Sequence, residues 1–208
     1  MSNKTTILPN LYLASQSPRR REILTDLGIP FTLLKSPYKE KPEDVADLTP
    51  HEQAAKFAGL KAFHAAKTLD EGVVIGADTI VVLASTVMGK PKDRAEARQM
   101  LESLSGKTHK VVTGIAIVDV GGLATITHAE STKVTFKDLS EREIRIYSDS
   151  AEPYDKAGAY AIQGLASLFV ERIEGCYFNV VGFPVAAFSR LLKEIGLEIL
   201  DYMKGKVK

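Results

Sequence analysis

The chain has 208 residues, 45% of them hydrophobic and 25% charged, a composition typical of a globular domain rather than a disordered or fibrous chain. Its 27 basic and 26 acidic residues leave a net charge of +1, which does not support wholesale electrostatic capture of a nucleic-acid polymer or an anionic membrane but leaves a local basic pocket open. The first ten residues lack the features of a signal peptide, and no apolar run approaches the roughly 20 residues that span a bilayer, so we expect a cytoplasmic protein.

Strand and helix signals alternate along the chain. Apolar, β-branched runs predict strands at about 11–14, 31–34, 73–83, 111–118, 125–136, 159–162 and 168–173. Capping residues, an early proline or a closing glycine predict helices at about 18–27, 49–69, 93–105, from 140 onward, and 184–195. This interleaving argues for a single α/β domain over residues 1–208, with residues 1–10 as a flexible extension. The hairpin around Gly121-Gly122 adds an antiparallel pair, so the sheet should be mixed.

The turn from Ser15 to Arg21 lies between a predicted strand and a predicted helix that begins at Pro18, with Ser17 as its N-cap. The backbone N–H groups and the dipole of a helix N-terminus favour an anion, and three consecutive arginines in the first turn oppose that dipole unless an anion binds there. Hydroxyls, amides and arginines together indicate phosphate binding; the alternative is a solvated basic turn. The glycine-lysine pattern of a Walker loop is absent.

Asp78 interrupts an otherwise apolar run from Val73 to Leu83. A buried carboxylate must meet a cation, a metal or several hydrogen-bond donors, and the alternative is an aspartate that caps a turn between two strands. Lys61 falls within the apolar stripe of the second predicted helix, formed by positions 54, 57, 58, 62 and 65. It therefore either points inward or snorkels to the surface.

Two further polar residues follow predicted strands. Lys90 lies in a turn between Gly89 and Pro91 and, taken alone, is an ordinary loop lysine. Gln163 precedes Gly164 in a stretch of small residues, where an amide can pair with the edge of a nucleobase through one donor and one acceptor. The alternative is a surface glutamine at the end of a strand.

Six short segments follow one another along nearly the whole chain. They are LASQSPRR at 13–20, GADTIV at 76–81, GKP at 89–91, LSGKTH at 104–109, KAGAYAIQG at 156–164 and VVGFP at 180–184. In this order they resemble the Maf family of nucleoside triphosphate pyrophosphatases, and six ordered motifs are far more specific than any one of them. The KAGAYAIQG block is similar to the branch that takes dTTP and UTP, rather than the branch that takes 7-methyl-GTP.

The resemblance implies a fold and a reaction. The family has a mixed α/β architecture like that of inosine triphosphate pyrophosphatases, with an elongated sheet flanked by helices and a cleft between two lobes. Its members use a divalent cation to hydrolyse the bond between the α- and β-phosphates, releasing a nucleoside monophosphate and pyrophosphate. Magnesium or manganese suits oxygen ligands and phosphate substrates, whereas one cysteine and four scattered histidines form no zinc motif.

The resemblance also implies a role for individual residues. Asp78 becomes the catalytic base, and Glu40 joins Asp78 as a metal or water ligand. The residues implied as phosphate contacts are Ser17, Arg20, Lys61 and Lys90, and those implied as base-specificity positions are Arg19, Thr79 and Gln163. This chain departs from the family at Lys39, where relatives often have a second acid, and at Gln16, where many have glycine.

Several alternatives stay open at this point. Asp78 acts either as a base or as the ligand of a metal that activates water. The protein is a dTTP/UTP pyrophosphatase, a broader house-cleaning enzyme for modified nucleotides, or a non-enzymatic nucleotide-binding regulator of cell division, since family members have been linked to septum formation. The expected partner is a nucleoside triphosphate, with no nucleic-acid polymer and no membrane, and a homodimer is left open.

Overall fold

The computed structural model describes residues 8–122 and 124–203. In this part of the chain the strands are β1 (Leu11–Leu13), β2 (Thr32–Leu33), β3 (Val73–Leu83), β4 (Thr86–Met88), β5 (Thr108–Asp119), β6 (Thr125–Phe136) and β7 (Val170–Glu174). The α-helices are α1 (Pro18–Asp26), α2 (Pro50–Ala66), α3 (Arg94–Leu104), α4 (Glu141–Asp149), α5 (Tyr177–Val181), α6 (Val185–Glu194) and α7 (Ile199–Tyr202). Short 3-10 turns occupy Pro42–Asp44, Pro153–Asp155, Ala157–Ala159 and Gly164–Leu168. Within the described ranges, no helix combines the length and apolarity needed to cross a membrane.

The strands form one mixed sheet. Its order is β2-β1-β3-β5-β6-β7, and β4 pairs with the end of β3. β1 runs parallel to β2 and β3, because α1 and α2 provide the helical crossovers that parallel neighbours require. β5 pairs antiparallel with β3 and β6, and β6 pairs antiparallel with β7. The mixed α/β fold predicted from the sequence is confirmed.

The two faces of β3 are covered differently. Successive side chains of a strand point to opposite faces of the sheet. Odd-numbered residues such as Ile75 and Val81 belong to the large apolar core, which also contains side chains from α1, α3, α4 and α6. On the opposite, α2-covered face, Val74 and Ile80 belong to two separate small apolar clusters. Asp78 lies between these two positions on the strand, so its carboxylate lies on the face of the sheet that α2 covers.

One predicted strand is wrong. Residues 159–162 form no strand, because the chain passes through the turn Ala157–Ala159, where Gly158 and Ala159 have φ angles of 68° and 60°. Strand backbone requires a negative φ. A Cβ at Gly158 would press against Val81 of β3, so the turn packs directly on the sheet. β4 and α5 are not predicted, because elements of 3 and 5 residues are too short to show a hydrophobic period.

The predicted N-terminal extension, residues 1–10, is only partly within the described ranges. Residues 1–7 lie outside them. Leu8 packs against the large core, and the Asn10 carbonyl accepts a hydrogen bond from Val73 N at 2.9 Å. The Tyr202 hydroxyl donates to the Pro9 carbonyl at 3.1 Å. Residues 8–10 are therefore part of the packed domain.

Candidate active site

A cleft of about 790 Å³ lies where several elements meet. Its walls come from the β1–α1 turn, the loop before α2, α2 itself, β3, the turn after β4, the segment 155–163 and the end of α5. All nine residues that the sequence assigns to the site line this cleft: Ser17, Arg19, Arg20, Glu40, Lys61, Asp78, Thr79, Lys90 and Gln163. The fold thus brings motifs from distant parts of the chain to one place.

Asp78 is paired with a lysine. Its Oδ1 lies 2.7 Å from Lys61 Nζ, which also lies 2.5 Å from Glu40 Oε1. The side chains of Asp78 and Lys61 are 12% and 17% exposed, whereas that of Glu40 is 52% exposed. The sequence left a cation, a metal or several hydrogen-bond donors open as the partner of Asp78; the structure shows a cation, and Lys61 points inward rather than to solvent. Glu40 lies in the loop before α2 and contacts the same ammonium group, so Lys61 binds both carboxylates.

Small residues allow α2 to lie close against the sheet. The helix begins at a capping box on Thr49 and passes over Gly76 of β3 and Gly114 of β5. A Cβ at either glycine would overlap a backbone carbonyl oxygen of α2. Gly114 is also the register partner of Asp78. Because the helix approaches the sheet at this position, Lys61 reaches the Asp78 carboxylate.

Arg20 is buried despite its charge. Its Nη1 donates to Ser15 Oγ at 2.9 Å and to the Ala77 carbonyl at 2.8 Å. Its Nε donates to the Gly182 carbonyl at 2.8 Å, and its Nη2 to Thr79 Oγ1 at 3.0 Å. Burial lowers the pKa of the guanidinium to about 10, which leaves it charged at neutral pH. Arg20 therefore ties α1 to β3 and to the end of α5, an organising role that the sequence analysis does not anticipate.

The N-terminus of α1 lines the cleft without an acidic side chain to complement its dipole. Ser17 occupies the N-cap position, but its hydroxyl makes no capping hydrogen bond, and its backbone N–H donates to Ser15 Oγ at 3.2 Å. No acidic residue lies in the first turn of the helix. An anion in the cleft would complement the dipole there. In the same turn, Arg19 Nη1 lies 3.5 Å from Asp155 Oδ2.

Lys90 and Gln163 are exposed residues of the cleft lining. Gln163 directly precedes the 3-10 turn Gly164–Leu168. The start of that turn is held by Glu152, whose Oε2 accepts a hydrogen bond from Leu165 N at 3.2 Å. Gln163 is therefore presented by an anchored turn and not by the end of a strand.

The cleft also contains polar residues to which the sequence analysis gives no role. Lys156 Nζ donates to the Glu152 carbonyl and to Asp155 Oδ1, both at 2.5 Å. The Tyr38 hydroxyl donates to Asp44 Oδ2 at 2.5 Å, and burial together with this hydrogen bond raises the pKa of Tyr38 to about 12. The position of Lys156 at the start of the KAGAYAIQG motif is a signal that could have identified it. Nothing in the sequence distinguishes Tyr38 from other loop residues.

Glu40 and Asp78 are two carboxylates that a metal could share with a phosphate ligand. The described ranges contain no group of three or more His, Cys, Asp or Glu residues that could hold a metal. Magnesium, however, is commonly bound through one or two carboxylates together with substrate phosphates. The residues present therefore fit a metal that binds along with a nucleotide, rather than an ion caged by protein alone.

Comparison with known proteins gives a family. Residues 10–195 match the family described as Maf-like protein. A relative from Pelotomaculum thermopropionicum, named dTTP/UTP pyrophosphatase, is 46% identical over 193 residues, which cover 93% of this chain and 100% of the relative. Relatives of the same name from Carboxydothermus hydrogenoformans and Thermoanaerobacter sp. (strain X514) are 47% and 48% identical, covering 89% and 88% of this chain and 98% and 95% of their own lengths. A match of this extent shows that the chain belongs to the Maf family.

Proposed function

We propose that this protein hydrolyses dTTP and UTP to the nucleoside monophosphate and pyrophosphate. The observation that carries the proposal is the position of Asp78, a nearly buried carboxylate paired with Lys61 on the wall of a cleft that also contains the implied base-specificity residues. Relatives similar over nearly their full length are named dTTP/UTP pyrophosphatases, which supports the same substrates for this chain.

The charge of the cleft supports a triphosphate ligand. Six basic and three acidic side chains line it, in a chain whose net charge is only +1. The basic residues are Arg19, Arg20, Lys35, Lys61, Lys90 and Lys156. Phosphoryl-transfer catalysis is mainly positioning and electrostatic stabilisation, so this surplus of positive charge is suited to a polyphosphate and to the charge that develops on the leaving pyrophosphate.

The reaction requires water to attack the α-phosphorus while the bond from that phosphorus to the bridging oxygen breaks. Asp78 accepts the proton of the attacking water, and pyrophosphate leaves as an anion beside the cationic side chains. Lys61, at 2.7 Å from Asp78 Oδ1, orients the carboxylate for this role. Ser17 and the backbone N–H groups at the start of α1 bind phosphate oxygens.

A divalent cation, magnesium or manganese, is the cofactor that we propose. Glu40 and Asp78 would hold it together with the phosphates of the substrate. When bound, it would act as a Lewis acid that neutralises phosphate charge. Lys61 already binds both carboxylates and therefore keeps them near one another before the nucleotide arrives.

Base selection falls to Arg19, Thr79 and Gln163. The Gln163 amide offers one donor and one acceptor, the pair that complements the edge of uracil or thymine. Arg19 lies at the N-terminus of α1, and Thr79 directly follows Asp78 on β3. Of the three, only Thr79 shares a strand with the proposed base Asp78.

The test is an assay of the purified protein with magnesium and a panel of UTP, dTTP, CTP, ATP, GTP and modified pyrimidine triphosphates. We expect UMP and dTMP to be released preferentially, each with one equivalent of pyrophosphate, and release to stop when EDTA removes the metal. In oxygen-18-labelled water, the label should enter the monophosphate, because the proposed attack is at the α-phosphorus.

Each other outcome of this assay has a clear meaning. Nucleotide binding without hydrolysis of any substrate would contradict the proposal and favour a non-enzymatic regulator. A flat profile over canonical and modified nucleotides would favour a broad house-cleaning enzyme. Release of orthophosphate, or label in the pyrophosphate, would show that a different bond or a different phosphorus is attacked.

A further inference from the structure

The loop that carries Glu40 has no regular backbone structure around that residue. Residues 34–41, all within the described ranges, belong to no helix or strand. The ion pair between Glu40 and Lys61 joins the loop to α2, but the Glu40 side chain is 52% exposed. Ion pairs with so exposed a partner contribute little to holding two side chains in one geometry. Another contact must therefore keep the Glu40 carboxylate beside Lys61.

Tyr38, two residues before Glu40, makes that contact through its ring. The ring stacks on the His64 ring, with the centroids 5.4 Å apart and an angle of 29° between the planes. Its centroid also lies 6.5 Å from that of the buried Phe57. Aromatic rings at these separations attract each other beyond the effect of the area that they bury. The aromatic contacts therefore dock the loop on α2 independently of the ion pair.

Phe57, Lys61 and His64 lie on one stripe of α2. Helix residues that are three or four positions apart are neighbours on the helix surface. Tyr38 thus contacts the residues one turn before and one turn after Lys61, whereas Glu40 contacts Lys61 itself. The aromatic packing therefore holds the loop at the level of α2 where the Glu40 carboxylate reaches the ammonium group.

Hydrogen bonds within the loop connect the Tyr38 ring to the segment around Glu40. The Tyr38 hydroxyl donates to Asp44 Oδ2 at 2.5 Å, and Tyr38 N donates to Ser36 Oγ at 3.3 Å. Asp44 ends the 3-10 turn Pro42–Asp44, so the hydroxyl contact closes the chain from 38 to 44. Glu40 lies inside this closed segment, and its position therefore follows that of the docked ring.

We propose that Tyr38 is a positioning residue of the active site: its ring holds the loop on α2 and thereby presents the Glu40 carboxylate to a divalent cation that binds with the nucleotide. The inference rests on the proposed function, in which Glu40 and Asp78 hold the metal. Tyr38 acts through Glu40 and requires no contact with the substrate. Without the ring, ordering the loop would be part of the free-energy cost of binding the metal and the nucleotide.

The first experiment measures how often the loop leaves α2 in the free protein. Trypsin cleaves after Lys35 and Lys39, two exposed residues of the loop, and its rate follows the population of the open loop. We expect Tyr38→Ala to raise the rate of cleavage at these sites about tenfold, since two aromatic contacts are lost. Tyr38→Phe keeps the ring and should stay within about threefold of the wild type. Tyr177→Ala, which removes an exposed tyrosine outside the cleft lining, should keep the wild-type rate.

The second experiment determines whether Tyr38 acts through Glu40. The probe is Mn²⁺ with α,β-methylene-UTP, which resists cleavage between the α- and β-phosphates, and electron paramagnetic resonance measures the Kd of their complex with the protein. We expect Tyr38→Ala to raise this Kd about tenfold, the scale for residues that orient metal ligands. In a Glu40→Gln background, the same substitution should raise it less than about twofold, because the carboxylate that Tyr38 positions is absent. A purely structural role would give the same factor in both backgrounds.

A variant on α2 repeats both measurements without altering the loop. His64→Ala removes the ring on which Tyr38 stacks, and we expect it to raise the rate of tryptic cleavage and the Kd of the Mn²⁺–nucleotide complex about threefold each, since one aromatic contact is lost. His51→Ala, which removes an exposed histidine of the same helix, is the matched control and should keep both wild-type values. Where Tyr38→Ala does not fold, His64→Ala decides the inference.

Neither measurement involves hydrolysis, so the inference and the proposed function fail separately. Wild-type cleavage rates in Tyr38→Ala and His64→Ala, or an equal rise of Kd with and without the Glu40 carboxylate, would overturn the inference alone. The expected changes in cleavage and Kd, in a wild type that hydrolyses neither UTP nor dTTP, would support the inference and overturn the proposed function. A wild type that does not bind the Mn²⁺–nucleotide complex at all would overturn both.

Discussion

Asp78 and Thr79 are neighbours on β3, yet they face opposite sides of the sheet and are positioned in different ways. Asp78 faces α2 and is held by Lys61, which reaches it because glycines let the helix backbone approach. Thr79 faces the large core and is held by a chain of hydrogen bonds that ends at the buried Asn179 carbonyl. The comparison shows two ways of holding a polar side chain within one strand: an ion pair on the α2 face, and hydrogen bonds to buried groups on the core face.

The largest effect should come from removing the charge on the α2 face. Asp78→Asn keeps the volume of the side chain and an oxygen that can accept from Lys61, but it loses the basicity that water activation requires. We expect kcat for UTP to fall at least about 100-fold, the scale of general-base catalysis, with little change in the thermal unfolding midpoint. Asp149→Asn, which removes a carboxylate paired with Arg98 outside the cleft lining, should leave kcat unchanged. Retention of more than about a tenth of wild-type kcat in Asp78→Asn would contradict the assignment of the base.

The close approach of α2 can be tested by filling the space that Gly114 leaves. A methyl group there would overlap a carbonyl oxygen of the helix, so Gly114→Ala must displace α2 and Lys61 with it. We expect the free energy of unfolding in urea to fall by about 3 kcal/mol, as for an overpacked core, and kcat to fall as well. Gly121→Ala, in the β5–β6 turn where a Cβ meets only ordinary contacts, is the control. Wild-type stability in Gly114→Ala would show that the helix does not need this glycine.

A buried histidine on the core face of the sheet should make the free energy of unfolding depend on pH. His109, whose Nε2 lies 2.7 Å from the Tyr160 hydroxyl, is buried, and desolvation lowers its pKa to about 4. In the unfolded chain histidine takes up a proton near its ordinary pKa of about 6.5, so acid favours the unfolded state and stability is lost as the pH falls from about 6.5 towards 4. Between pH 7.5 and pH 5 we expect a loss of about 2 kcal/mol in the free energy of unfolding from this residue.

Urea unfolding of the wild type and of His109→Gln at several pH values measures this contribution. Glutamine does not titrate, so the variant should lose less stability than the wild type between pH 7.5 and pH 5, even if it is less stable at pH 7.5. His51→Gln, which removes an exposed histidine of α2, should keep the wild-type slope. Parallel pH profiles for the wild type and His109→Gln would exclude His109 as the titrating group.

The smallest expected effect concerns Gln163, which lies directly before the turn Gly164–Leu168 and lines the cleft. If its amide pairs with the pyrimidine edge, Gln163→Ala should reduce the discrimination of UTP from other triphosphates by about 0.5–1.5 kcal/mol for each hydrogen bond lost. The measurement is kcat/KM over the nucleotide panel, with Leu168→Ala, an exposed residue of the following turn, as the control. An equal loss over all bases would place Gln163 outside the recognition of the base.

The fold and the location of the site could be predicted to different extents. The long strand Val73–Leu83 and the capped helices follow from local signals, because period, caps and glycine stops act over a few residues. The turn at 157–159 could not be found in the same way, since the positive φ of Ala159 is imposed by packing of the segment on β3 rather than by its own preference. Short elements such as α5 have too few residues to show a period.

For the candidate site, the sequence by itself determined which chemical groups are available: a carboxylate in an apolar strand, a lysine within the apolar stripe of a helix, and an arginine-rich helix start. Only the tertiary structure decided how they are used. It buries Arg20, which joins three segments, pairs Glu40 with Lys61, and directs the Thr113 proton to the Asn179 carbonyl. The physical reason is that the identity of a group is local, whereas the partner of a buried charge and the direction of a hydrogen bond depend on atoms from distant segments that only the fold brings within about 3 Å.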